Sequence, residues 1–138
     1  MEREILFRGC GINTGEWYYG DLIKRKICGQ EKYLFSIAES GPVEIMQNGR
    51  YRYAGESISH IVKEETVGQY TGINDIDGER IFEGDYVKWS DADVLGGQGE
   101  VYGTVEFSEG QWWVQPAGKW PVPLFCETAE IKVLEYPD

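Results

Sequence analysis

The stretch Tyr102–Gln115, which reads YGTVEFSEGQWWVQ, shows two strand-like segments joined by a turn. Tyr102–Phe107 and Gln111–Gln115 are rich in β-branched and aromatic residues, which favour strands. Ser108–Gly110 between them is typical of a turn, because Gly adopts the backbone angles that tight turns require. The stretch therefore predicts a β-hairpin, and it indicates a chain built from short strands.

The same alternation of strand and turn chemistry extends over the rest of the chain. Thr66–Thr71, Tyr86–Trp89 and Ile131–Tyr136 are strand-like, and with the hairpin they make five short strands over about seventy residues, which predicts a small barrel. In the first half, Asn48-Gly49 separates two further strand-like segments and is the strongest hairpin signal in the sequence. We therefore expect an all-β protein.

Composition narrows the class of protein. The chain has 138 residues, of which 41% are hydrophobic and 14% aromatic, enough for a packed core. No apolar run approaches the roughly 18 residues that span a bilayer, and Met1–Arg8 lacks the apolar core of a secretory signal. Three cysteines without a Cys-x-x-Cys pair fit free thiols. These features lead us to expect a cytoplasmic protein.

The charge is unevenly distributed between the two halves. Formal net charge is −11, and residues 70–138 contain 14 acidic but only 4 basic side chains. An acidic half of this kind disfavours binding to nucleic-acid phosphates and to anionic membrane surfaces. This excess negative charge can serve solubility alone, or it can attract a basic surface on a partner.

Two ordered motifs resemble those of the YopX family of bacteriophage and prophage proteins. Residues 66–87, TVGQYTGINDIDGERIFEGDYV, are similar to the family signature. Arg3–Gly9 followed by Thr14–Leu22 resembles the family's N-terminal pattern, and Gly103–Phe107 resembles its closing segment. The resemblance covers nearly the whole chain.

This resemblance implies an SH3-like barrel in the C-terminal part, expression in the cytoplasm of a bacterial host, and no known reaction. The expected architecture is an N-terminal β-rich portion, residues 1–65, packed on an SH3-like barrel, residues 66–138. Most of the signature has a plain structural interpretation, with glycines at turns and Tyr70, Phe82, Val87 and Trp89 filling the core.

No constellation for catalysis, cofactor binding or metal binding stands out. His60 is the single imidazole, and no exposed nucleophile motif accompanies it. Cys10, Cys28 and Cys126 are too irregularly spaced for a typical zinc site. The Asp75-x-Asp77-Gly78 segment lacks the later ligands of a calcium loop and is typical of a turn. We expect no enzyme activity, no cofactor and no metal.

The candidate protein-interaction residues are Trp112, Trp113, Trp120, Asp91 and Asp93. Adjacent strand residues point to opposite faces, so Trp112 and Trp113 cannot both enter one core. One of the two side chains must therefore contact solvent, the other portion of the chain or a partner. We expect that partner to be a host or phage protein, or a second copy of the chain.

An alternative hypothesis is binding of single-stranded nucleic acid by residues 17–26. Trp17 and Tyr18 lie close in sequence to Lys24, Arg25 and Lys26. Aromatic rings stack on bases and cations neutralise phosphates. Three cations in an anionic protein supply little of the counterion release that drives such binding, which favours the protein partner.

Overall fold

The computed structural model describes residues 4–39, 42–53, 58–91 and 99–135, and in these ranges the predicted all-β class is confirmed. The strands are β1 Phe7–Cys10, β2 Trp17–Lys26, β3 Tyr33–Ala38, β4 Val43–Ile45, β5 Tyr51–Tyr53, β6 Ser59–Val62, β7 Gly68–Asn74, β8 Arg80–Phe82, β9 Tyr86–Asp91, β10 Gly99–Ser108, β11 Gln111–Gln115, β12 Val122–Pro123 and β13 Glu130–Leu134. A 3₁₀ turn covers Glu64–Thr66. The part of the chain that the structure describes contains no helical segment that could span a lipid bilayer.

The chain forms two compact units. The N-terminal unit contains the described residues of Ile5–Gly68, and the C-terminal unit contains those of Gln69–Asp138 together with Glu4.

The N-terminal unit is built on an antiparallel sheet with the strand order β6-β3-β2-β1. Its buried side chains include Ile37 and Val62. An isolated bridge joins Gly11 to Val62 and curls the sheet, so that the residue after β1 meets β6. Gly20 is required in β2, because a Cβ at this position would lie 2.1 Å from the carbonyl oxygen of Ala38.

The β4–β5 hairpin forms a separate two-stranded sheet in the N-terminal unit. The predicted Asn48-Gly49 turn is confirmed, and Gly49 has φ +81°. Each of its strands has three residues, and the loop between them spans Met46–Arg50. The amide of Met46 donates to the carbonyl of Arg50 at 2.7 Å and closes this loop.

The C-terminal unit contains a five-stranded antiparallel sheet with the order β12-β11-β10-β9-β13. The hairpin predicted for Tyr102–Gln115 is confirmed as β10–β11, with Val105 opposite Val114. Alternate residues of each strand face the core, as strand geometry dictates. The core cluster consists of Ile81, Val87, Trp89, Val105, Val114, Leu124 and Ile131.

The family-like signature builds the turn between β7 and β8 and the entry to β9. Asp75 is buried, and its Oδ1 accepts hydrogen bonds from the amides of Asp77 and Glu79 at 2.9 Å. Its Oδ2 accepts from the amide of Val133 in β13 at 3.1 Å. Asp85 accepts from the amide of Phe82 at 2.8 Å. Both carboxylates therefore hold backbone together, as the turn interpretation of this segment predicts.

No sheet closes into a barrel within the described residues, so the predicted SH3-like barrel is not confirmed. The outer edge of β13 bonds instead to the β7–β8 turn. The amide of Ile76 donates to the carbonyl of Ile131 at 2.9 Å, and Asp75 accepts a hydrogen bond from the amide of Val133. This edge is thus covered by a turn rather than by another strand.

Candidate interaction surface

The tandem tryptophans of β11 point to opposite faces of the sheet, as strand alternation predicts. Trp112 packs against the core cluster and meets Phe107 edge to face, with ring centroids 5.0 Å apart. Trp113 lies on the other face opposite Glu106, and its Nε1 donates to the carbonyl of Ser108 at 2.8 Å. Both rings are half-buried. Neither indole is therefore freely available as a protruding anchor.

Trp120 is the protruding tryptophan, since 90% of its surface is exposed. It lies in the turn between β11 and β12. The side-chain amide of Gln115 donates to the carbonyls of Pro116 at 2.9 Å and Lys119 at 3.1 Å. These two bonds fix the backbone of the turn that presents the indole.

A groove of about 480 Å³ lies beside Trp120, and we call it the tryptophan groove. Its apolar lining comprises Val101, Tyr102, Pro116, Ala117, Trp120, Pro121 and Val122. Glu100 and Lys119 also line it. Prolines on both sides of the turn restrict its backbone, which favours a preformed surface.

Asp91, one of the predicted protein-interaction residues, requires a correction, because it is buried rather than at the surface. It ends β9, is 1% exposed, and accepts a hydrogen bond from Thr128 Oγ1 at 2.7 Å. The thiol of Cys126 donates to the same oxygen at 3.2 Å. This carboxylate ties β9 to the segment before β13 and is not available to a partner. Asp93, the other predicted acidic contact, lies outside the described residues.

The acidic surface of the C-terminal unit is formed by other residues than those predicted. Its exposed carboxylates within the described ranges are Glu4, Asp77, Glu79, Glu100, Glu106, Glu109, Glu127, Glu130 and Glu135. Two of them pair with lysines, Glu100 with Lys88 at 3.4 Å and Asp77 with Lys132 at 3.7 Å. The exposed charge therefore remains predominantly negative.

A second groove, of about 550 Å³, lies between β7 and the β10–β11 hairpin, and we call it the phenylalanine groove. Phe107, Trp112 and Phe125 line one side, and Phe107 and Phe125 are largely exposed. Tyr70 of the signature strand lines it too, and Arg80 lies 5.8 Å from the Tyr70 ring centre. The sequence did not mark Phe107 as a surface residue, although its place beside the turn at Ser108 is a usable signal.

Arg80 is itself held by Glu4. Its Nε donates to Glu4 Oε1 at 2.7 Å, and this hydrogen bond raises the pKa of Arg80 above its ordinary value. The guanidinium is therefore charged at every pH at which the protein is studied.

The predicted aromatic and basic residues of β2 do not form one surface. Strand alternation puts Trp17 and Arg25 on one face, and Tyr18, Lys24 and Lys26 on the other. Lys24 Nζ lies 4.4 Å from the ring centre of Tyr33, and Lys26 pairs with Glu31 at 3.2 Å.

The aromatic residues of this stretch also have partners within the N-terminal unit. Tyr18 stacks on His60 with ring centroids 3.7 Å apart, and the Arg8 guanidinium lies 4.9 Å from the Trp17 ring centre. Most of the groups that would bind a nucleic acid therefore already contact other residues of the N-terminal unit.

The residues considered as catalytic or metal-binding candidates make contacts that stabilise the fold. His60 Nε2 lies 3.3 Å from Glu39 Oε1, and its ring is covered by Tyr18. The described part of the chain holds no group of three or more His, Cys, Asp or Glu side chains placed to bind a metal ion. Both carboxylate oxygens of Asp75 accept hydrogen bonds from backbone amides.

Comparison with known proteins gives one finding. The family model described as YopX protein matches residues 7–135. Curated proteins and solved structures give no match to this chain. The match includes the β7–β8 turn, both grooves and the β2 strand.

Proposed function

Since this chain belongs to the YopX protein family, we propose that it is a phage or prophage accessory protein that acts by binding another protein. Trp120 in the tryptophan groove is the anchor, and the exposed carboxylates of the C-terminal unit select a basic partner surface. The role is non-enzymatic and belongs in the cytoplasm of the bacterial host.

The exposure of Trp120 is the observation that carries this proposal. A tryptophan buries roughly 150–250 Å² in an interface, which at about 25 cal/mol per Å² corresponds to roughly 4–6 kcal/mol before other costs. Tryptophan is also enriched among the residues that dominate binding energy. Because 90% of the surface of Trp120 is exposed beside an apolar groove, nearly all of this area can still be buried by a partner.

The charge of the C-terminal unit supports a basic partner. Glu100 lines the tryptophan groove, and Glu106 and Glu130 are exposed on the same five-stranded sheet. Exposed carboxylates accelerate encounter with a basic surface, and salt screens this attraction. We therefore expect association that weakens as ionic strength rises.

We also propose that the C-terminal unit is a variant of the SH3-like architecture. In support, the turn between β7 and β8 is bonded to β13, and the segment between β8 and β9 is bonded to β10. The amide of Ile76 donates to Ile131, and the amide of Gly84 donates to Val105 at 2.8 Å. The five-stranded sheet and the β7–β8 pair thus enclose one apolar cluster.

Affinity capture tests the protein-binding proposal. The tagged protein is incubated with nuclease-treated lysate of a bacterial host and washed at low and at moderate salt. We expect one stoichiometric basic protein that is retained at low salt, reduced at moderate salt and absent with Trp120→Ala. Phe125→Ala is the matched control, since Phe125 is also exposed but lies outside the tryptophan groove. Equal capture by wild type and Trp120→Ala would contradict the proposal.

Binding of single-stranded nucleic acid is the second candidate. Trp17 and Tyr19 are both about half exposed, and they share their strand face with Arg25. The test is binding of a fluorescent oligonucleotide at low salt by wild type and by Arg25→Ala. A measurable affinity that falls with Arg25→Ala supports this candidate, whereas absence of binding by the wild type eliminates it.

A further inference from the structure

The β10 strand extends beyond its partner β11, which leaves part of one edge of β10 without a neighbouring strand. Residues 99–104 of β10 pair with β9, whereas only residues 104–108 pair with β11. After Gln115 the chain turns over the face of Gly103, where a Cβ would lie 2.8 Å from the nitrogen of Pro116. The edge of the preceding residues of β10 is therefore left open on the β11 side.

Strand geometry identifies the backbone groups on this open edge. In an antiparallel sheet, successive residues direct their amide and carbonyl groups to opposite edges of the strand. The amide of Val105 donates to the carbonyl of Asp85 at 2.9 Å, which lies on the β9 side. The backbone groups of Glu100 and Tyr102 therefore point to the other edge. Among the residues that the structure describes, these groups have no hydrogen-bond partner.

The tryptophan groove lies along this open edge. Its lining includes Glu100, Val101 and Tyr102 of β10 as well as Trp120 and its neighbours in the turn. An unpaired strand edge is a template for a further strand, which lies about 4.8 Å from the first. The groove thus combines apolar surface with unpaired backbone donors and acceptors, and an extended polypeptide segment complements both.

We propose that a partner protein occupies the tryptophan groove with an extended segment that adds to β10 as a further strand. This inference rests on the proposed function, because it states how the partner of that site binds. The backbone of the segment bonds to the amides and carbonyls of Glu100 and Tyr102. The side chain opposite Val101 lies on the same side of the sheet as Val101, which lines the groove.

Charge selects a basic segment of another protein. Val101 packs against the core cluster, so alternation puts Glu100 on the outer face of the sheet, where it is exposed. Lys88 of β9 lies 3.4 Å from Glu100 on one side, and the added strand lies on the other side. A lysine or arginine directly opposite Glu100 makes a favourable cross-strand pair. A second copy of this chain, with a formal net charge of −11, would instead be repelled.

Amide hydrogen exchange followed by NMR tests this pairing residue by residue on the full chain. The probe is the peptide most enriched from a displayed library of random short peptides that binds wild type but not Trp120→Ala. In the free protein, the amides of Glu100 and Tyr102 should exchange faster than those of Val101 and Gly103, which face β9. The peptide should slow exchange at Glu100 and Tyr102 at least about tenfold, and it should contain lysine or arginine.

Two variants at Tyr102 separate the backbone of the edge from the side chain. Tyr102→Pro removes the unpaired amide, and proline is tolerated at edge positions whose amide faces solvent. Tyr102→Ala is the matched control, because it removes the ring but keeps the amide. Tyr102→Pro should bind the peptide at least about tenfold more weakly than Tyr102→Ala, the effect of one net hydrogen bond. Circular dichroism verifies folding, and the exchange measurement on the wild type decides the question if Tyr102→Pro is unfolded.

Four results would overturn the inference. They are a library that yields no such peptide, a bound peptide that leaves the amides of Glu100 and Tyr102 in rapid exchange, equal affinity of the two Tyr102 variants, and protection that rises with protein concentration alone, which would indicate a second copy. A partner captured through Trp120 that leaves both amides in rapid exchange would contradict strand addition but not the proposed function. Peptide pairing without any captured partner would contradict the proposed function instead.

Discussion

Replacement of Asp75 by alanine should destabilise the C-terminal unit more than any other removal of a carboxylate from its β7–β8 turn. The side chain is buried and accepts three backbone hydrogen bonds, from Asp77, Glu79 and Val133. Asp75→Ala leaves all three amides without this acceptor. A hydrogen bond to a charged group contributes about 1.5–3 kcal/mol.

Solvent access sets the magnitude of this loss. Asp77 and Glu79 are exposed, so water can replace the carboxylate at their amides. Val133 is a half-buried residue at the edge of β13, so we expect replacement of the carboxylate by water to be poorer there. We therefore expect Asp75→Ala to lower the free energy of unfolding by about 3 kcal/mol. Asp75→Asn keeps one acceptor oxygen for the amides of Asp77 and Glu79 but has no second acceptor for the amide of Val133. We expect this substitution to lower the free energy of unfolding by about 1.5 kcal/mol.

Urea unfolding monitored by tryptophan fluorescence measures these differences. Asp77→Ala is the matched control, because Asp77 is exposed and its carboxylate lies 3.7 Å from Lys132. An exposed ion pair contributes less than about 1 kcal/mol. The order of stability should be wild type, Asp77→Ala, Asp75→Asn and Asp75→Ala. If Asp75→Ala proved no less stable than Asp77→Ala, the assigned role of the carboxylate would be refuted.

Three further predictions concern two glycines and one stacked ring pair. Gly103→Ala should lower the free energy of unfolding by at least about 3 kcal/mol, because the new Cβ would lie 2.5 Å from the carbonyl oxygen of Gln115. Gly118→Ala, with open space around the new Cβ but φ +69°, should lower the free energy of unfolding by about 1 kcal/mol in the same urea unfolding experiment. His60→Ala should cost the N-terminal unit about 1 kcal/mol through loss of stacking on Tyr18, and equal stability of this variant and the wild type would contradict that contact.

The strands and turns were predictable because their signals are local. The β10–β11 hairpin, the Asn48-Gly49 turn and the Asp75–Gly78 turn each depend on a few consecutive residues. Barrel closure depends instead on which distant strands pair, and the short-range pattern does not specify this. The coverage of β13 by the β7–β8 turn requires Asp75 to meet Val133, 58 residues away.

The candidate site was predictable only in part, for the same reason. Asp91 appears solvated in the sequence, but its partners Cys126 and Thr128 are 35 and 37 residues away. The position of Trp17 and Lys24 on opposite faces of β2 was predictable from the sequence, since it follows from strand alternation alone. The exposure of Trp120 depends on the turn that Gln115 fixes, and that turn is visible only in the structure.

We propose above that Trp120 anchors a protein partner on an acidic surface. The most direct measurement is the affinity of the captured partner for wild type and Trp120→Ala over a series of salt concentrations, by biolayer interferometry. Loss of about 2 kcal/mol at a hot spot predicts that Trp120→Ala weakens binding roughly 30-fold at every salt concentration. Wild-type affinity should itself fall as salt rises. A change of less than about threefold in the variant, which is under 1 kcal/mol, would contradict the claim.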